Sequence, residues 1–145
     1  MSVKPQYFYK QSAVIPFIVE ESRIKIFLIN SRKSKHWIIP KGIIEKNLSP
    51  GESAAKEAFE EAGIKGQVLP KPVGSYTYDK WNGVCNVEVF AMEVDEIFSE
   101  WDEKSFRNRT VVDIEEAAEM VFPENLRAII MKFHSEILKT IKVAQ

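Results

Sequence analysis

The sequence predicts an α+β fold in which helices cover a mixed β-sheet. Three observations carry that prediction. Apolar stretches of strand type lie before, between and after the helical segments. One helix is bounded by a full set of caps, and the C-terminal segment repeats its apolar residues at helical spacing. The chain has 145 residues, 45% hydrophobic and 28% charged, which suits one domain over 1–145 with a core of its own.

In chain order, Ser12–Val19 and Ile24–Ile29 read as two strands joined by a polar Glu20-Glu21-Ser22 turn. Pro16 cannot donate to a ladder, so an edge position or a bulge is expected there. Trp37-Ile38-Ile39 is a short apolar piece that ends at the turn-like Pro40-Lys41-Gly42. A helix over about 50–62 follows. Ser49 is its N-cap, Pro50 its first residue, Glu52 the capping-box partner and Gly63 its left-handed stop. Val73–Tyr78 and Val84–Val94 flank Asn82-Gly83 and predict a hairpin. A short helix over Ile114–Met120 starts after Asp113, with Glu116 placed for a second capping box. The last helix spans about 124–143, with a core-facing stripe of Leu126, Ile129, Ile130, Phe133, Ile137 and Ile141.

Charge and composition exclude several classes. Twenty Lys and Arg stand against twenty-one Asp and Glu, a net charge of −1. A protein that grips nucleic acid by charge would be basic, so neither DNA nor RNA is expected as a partner. The single cysteine, Cys85, rules out a disulfide within the chain and a Cys-only zinc site. The first twenty residues hold no signal-peptide core, and no run approaches the ~20 apolar residues that cross a bilayer. A cytoplasmic protein with no membrane partner is the expectation, as monomer or homodimer.

The chemistry concentrates in the capped helix. Glu57, Glu60 and Glu61 stand at i, i+3 and i+4 and share one helix face. A bare E-x-x-E-E reads first as a solvated acidic face. Three like charges repel, however, and a hard divalent cation such as Mg²⁺ would turn that repulsion into coordination. Glu115, Glu116 and Glu119 form a second acidic set, whose simpler reading is a solvated helix start.

Counted from Gly42, the residues Glu57, Glu60, Glu61, Gly63 and Ile64 fall on the spacing G-x5-E-x7-R-E-U-x-E-E-x-G-U, where U is aliphatic. The chain thus resembles the Nudix hydrolase family through its Nudix box. Leu48 stands where the box has its first glutamate, Lys56 replaces the arginine and loses its planar fork, and Ala58 replaces a larger aliphatic residue. The resemblance implies an α/β/α sandwich with a mixed sheet. It also implies hydrolysis of a diphosphate joined to another moiety, with Mg²⁺ or Mn²⁺. Glu57 and Glu61 are the leading metal ligands, and Glu60 is a third ligand or the group that acts on water. All three are therefore candidate catalytic residues.

Arg32, Lys33, Lys35 and Lys41 gather beside the box and can grip a polyphosphate; a solvated loop is the plain alternative. Arg32, Lys33, Trp37, Lys41 and Gly42 are the candidate substrate-binding residues. Trp37 can stack on a base or pack as core, and Tyr76, Tyr78 and Trp81 can line the pocket. The stretch from Arg32 through AAKEAFEEAGIKG resembles the branch that hydrolyses diphosphoinositol and diadenosine polyphosphates. Such a small-molecule polyphosphate is the expected substrate. A nucleoside diphosphate derivative such as ADP-ribose, a nucleoside triphosphate, or a non-catalytic nucleotide-binding module are the alternatives.

Overall fold

Tyr7–Glu20 forms one long strand, β1, and the sheet is assembled around it. The computed structural model describes residues 7–30, 35–80 and 82–144. β2 (Arg23–Asn30) returns antiparallel to β1 through Glu21 and Ser22, both in the left-handed region, with φ of 52° and 67°. Two consecutive positive-φ residues are what a two-residue hairpin loop requires. β3 (Trp37–Ile38) pairs with β2, and β4 (Lys41–Ile43) pairs with β1. The Pro40-Lys41-Gly42 punctuation is therefore a strand start. β5 (Ile64–Val68), β6 (Gly74–Lys80) and β7 (Gly83–Ile97) complete the other half, and β8 (Arg109–Asp113) pairs with β2. The main strand order is β3-β2-β1-β7-β5. β1 and β7 run parallel over Tyr7–Phe17 and Gly83–Glu93, so the sheet is mixed.

Pro16 is not at an edge. β1 lies inside the sheet, and Pro16 falls where its partner on one side changes from β4, which ends opposite Ala13, to β2, which begins opposite Phe17. Val14 directs its N–H to that side, onto the Pro40 carbonyl. The Pro16 nitrogen points the same way, into the gap where no ladder donor is required.

The alternation of β1, β2 and β7 divides the core in two. Val14, Phe27, Ile29, Phe90 and Met92 face helix α1 (Pro50–Ala62) and its Ala54, Ala58 and Ala62. Ala13, Ile15, Phe17, Ile26, Leu28, Val87 and Val89 face α2 (Ile114–Met120) and α3 (Leu126–Ala144). This is the expected α/β/α sandwich. The three alanines bring α1 close to the sheet, which fixes the height at which its glutamates emerge. The α3 stripe is buried from Leu126 to Phe133 and half-buried at Ile137; the Ile141 side chain lies outside the described residues. Among those residues no helix is long and apolar enough to cross a membrane.

Candidate active site

The caps place α1. The Ser49 hydroxyl accepts from the Glu52 N–H, and the Glu52 carboxylate accepts from the Ser49 N–H at 2.9 Å. Gly63 closes the helix at φ 65°, donating to the Phe59 carbonyl. The loop between β4 and the helix is tied down as well. The Glu45 N–H donates to the buried Ser53 hydroxyl at 2.8 Å, and the Lys56 ammonium meets the Glu45 carboxylate at 2.8 Å. The acidic partner of Lys56 in this loop thus stands at position 45, three residues before Leu48. The predicted capping box on α2 does not form, because Asp113 makes no side-chain cap bond.

Glu57 and Glu61, one helical turn apart, point into the cleft between α1 and β4. Glu61 is buried, at 6% exposure, and its Oε1 accepts from the Lys41 N–H at 3.2 Å. The carboxyl group of Glu57 fills the space that a Cβ on Gly42 would take. The two carboxyls interact, and full ionisation of the pair is disfavoured. The Glu61 pKa is pushed up to about 9, first by burial and then by its interaction with Glu57. The nearby Arg107 opposes the shift. Burial also raises Glu57, helped by the charges of Glu60, Glu103 and Glu45.

Glu60 has a basic neighbour on the same helix. Its carboxylate lies 3.9 Å from the Lys56 ammonium. Among the described residues no three acidic, His or Cys side chains converge as a ready-made metal cage. The donor set nonetheless fits a hard cation: two hard carboxylate ligands are brought together where their joint ionisation is disfavoured, a cost that a divalent ion would offset. A third oxygen ligand would have to come from Glu60 or from a residue that the sequence reasoning missed. Glu103 lies in the loop after β7, where its N–H donates to the Glu60 carbonyl at 3.2 Å and its carboxylate accepts from Arg107 Nε at 2.7 Å. Its charge is felt by both Glu57 and Glu61. Only the i,i+4 spacing to Arg107 could have signalled it. Glu119 pairs instead with Arg127 at 3.0 Å, on the α2–α3 side.

Lys41 links the acidic pair to a cavity. Its ammonium donates to the Tyr78 hydroxyl at 3.2 Å, which in turn donates to the buried Gln11 amide oxygen at 2.7 Å. Burial lowers the Lys41 pKa, Lys80 lowers it further, and Glu61 opposes the change. Tyr76 and Tyr78 line the cavity. The Trp37 side chain packs against the core, and its carbonyl accepts from the Phe122 N–H at 2.9 Å. Arg32, Lys33 and Trp81 lie outside the described residues.

Comparison with known proteins gives this geometry a context. The NUDIX domain model matches residues 9–136. Nudix hydrolase 4 of Arabidopsis thaliana is 33% identical over 116 residues, 79% of this chain and 55% of that protein. The diphosphoinositol polyphosphate phosphohydrolase 3-beta of Bos taurus is 31% identical over 99 residues, 68% of this chain and 59% of that one. The chain spans 55–61% of the length of the Arabidopsis Nudix hydrolases 4, 12 and 13 that it matches. In structure it superposes on the C. elegans Ap4A hydrolase with a TM-score of 0.74 at 15% identity, covering 90% of this chain and 99% of the other.

Proposed function

The chain belongs to the Nudix domain family, and from that premise we propose that it is a Mg²⁺-dependent hydrolase of a diphosphate linkage in a phosphorylated small molecule, with Mn²⁺ as a substitute. The observation that carries this reading is the Glu57–Glu61 pair packed against Gly42, a half-buried and a buried carboxyl brought together where a cation would be held. When bound, the ion supplies positive charge for the diphosphate oxygens and acidifies an attacking water. Glu57 and Glu61 would hold it, both in the ionised form. Glu60 and Glu103 are the two carboxylates placed to complete the ligand set or to take the proton of that water. The Lys41 ammonium, kept in place by Tyr78, meets a substrate phosphate oxygen. Arg32, Lys33, Gly42 and Trp37 complete the proposed substrate side, and the protein works in the cytoplasm.

The relative at 31% identity is named for diphosphoinositol polyphosphates, and the structural neighbour for Ap4A; both substrates fit the proposed chemistry. A second reading, a nucleotide-binding module without turnover, is favoured by Leu48 at the first acidic box position. A panel of dinucleoside polyphosphates, diphosphoinositols, ADP-ribose and nucleoside triphosphates, assayed for Mg²⁺-dependent release with products identified, tests the proposal. Turnover of at least one member supports it, and silence across the panel at high protein concentration overturns it in favour of the module.

A further inference from the structure

We infer that Ser12 is a positioning residue for the proposed metal site: its buried hydroxyl donates to the Glu57 carboxylate when that group holds a divalent ion. The inference rests on the diphosphate-hydrolase reading and adds to it a residue of β1, thirty positions before Gly42.

Strand register places the hydroxyl. Ser12 stands opposite Gly42 in the antiparallel pair of β1 and β4. Directly opposed residues project to one face, with Cβ positions about 5 Å apart. The Cβ that Gly42 lacks would fall among the Glu57 side-chain atoms, within 2.7 Å of Cγ. The Ser12 side chain therefore rises beside the Glu57 carboxyl. Alternation along β1 agrees, because Val14, two residues on, packs against α1.

The hydroxyl is also idle. Five polar or charged residues are buried among the described residues: Gln11, Ser12, Ser53, Glu61 and Arg107. Gln11 accepts from Tyr78, Ser53 from the Glu45 N–H and Glu61 from the Lys41 N–H, while Arg107 donates to Glu103 and to the Asn30 carbonyl. Ser12, at 0% exposure, is the one of the five whose side chain has no hydrogen-bond partner. A buried hydroxyl in that state costs stability, and alanine would avoid the cost. The O–H gains a use when the carboxyl beside it is an ionised metal ligand, whose remaining lone pairs need donors. Glu61 has the Lys41 N–H for that purpose; Ser12 supplies the donor for Glu57.

Calorimetric titration of the whole chain with Mg²⁺ alone, beside melting curves in EDTA, tests the assignment. Ser12→Ala should weaken Mg²⁺ binding about tenfold. Its melting midpoint in EDTA should be no lower than the parent's, because a group without a partner has been removed. Ser12→Thr keeps the hydroxyl and should bind Mg²⁺ within about threefold of the parent. Glu88→Gln alters the carboxylate in register with Ser12 on β7 and should leave Mg²⁺ affinity within about twofold. Four results would each overturn the role of Ser12 while leaving the metal reading in place. They are unchanged Mg²⁺ affinity in Ser12→Ala, a lowered EDTA midpoint in that variant, Ser12→Thr as weak as Ser12→Ala, and Glu88→Gln as weak as Ser12→Ala. A parent chain that takes up no Mg²⁺ would overturn both.

Discussion

The carboxyl group of Glu57 occupies the volume that any side chain on Gly42 would need; a Cβ built there comes within 2.7 Å of Glu57 Cγ. Gly42 is therefore present for close approach, not for an unusual backbone angle. It turns a strand start into the floor beneath the acidic pair.

Gly42→Ala should displace Glu57 while leaving the fold in place. A displacement of about 1 Å at a reacting centre costs roughly 10²-fold in rate. We expect kcat on the best substrate of the panel to drop by about that factor, with a thermal midpoint within a few degrees of the parent. Steady-state kinetics beside a melting curve make the check.

Glu57→Gln and Glu61→Gln should each lower kcat by about 10³-fold or more and weaken Mg²⁺ binding, since each removes a negative ligand from a two-carboxylate nucleus. Glu60→Gln should weaken Mg²⁺ binding less, because Glu60 faces Lys56. Calorimetric Mg²⁺ titration of the three variants orders them.

In EDTA, stability should fall as pH rises. Glu61 is raised in the folded chain from its ordinary 4.5 to about 9, so between those values the folded state holds a proton that the unfolded state has lost. Its contribution is complete below about 4.5 and is lost as pH climbs through the folded value. Glu61→Gln should flatten that slope, and saturating Mg²⁺ should reverse it by competing with the proton. Urea titrations across that pH range read both effects.

Arg109→Ala should cost about 1–3 kcal/mol. The guanidinium donates to the Ala62 carbonyl at 2.7 Å and the Phe98 carbonyl at 2.9 Å, closing the open end of α1, and its Cζ lies 4.3 Å from the Trp101 ring centroid. Its loss leaves part-buried carbonyls short of a donor. Lys should restore only part of the stability, lacking the planar fork. Denaturant midpoints at constant slope measure the difference.

The box helix is legible because its signals are local. Ser49, Pro50, Glu52 and Gly63 act within one or two turns, and the structure returns the helix at Pro50–Ala62. The face shared by Glu57 and Glu61 follows from helical period alone. The short strands β4, β5 and β8 are not legible, since each holds only three to five residues and gains its ladder from partners far along the chain. Pro16 misleads for the same reason: whether a proline costs a hydrogen bond depends on where two other strands end. The ion pair of Lys56 with Glu45 joins residues that a repeat of charges does not connect. Glu103 enters through a turn whose position is fixed by backbone bonds to α1, and no spacing rule reaches across that gap.

The fastening of that turn has one more consequence. The Phe98 N–H is bonded to the Gly63 carbonyl, the Glu103 N–H to the Glu60 carbonyl, and Trp101 sits in the space that a Cβ on Gly63 would take. Stitched at both ends, the segment travels as luggage of the helix. Residues inserted between 99 and 102 should carry Glu103 away from the acidic pair, whereas the same insertion at 69–72, outside these stitches, should leave the pair where it is.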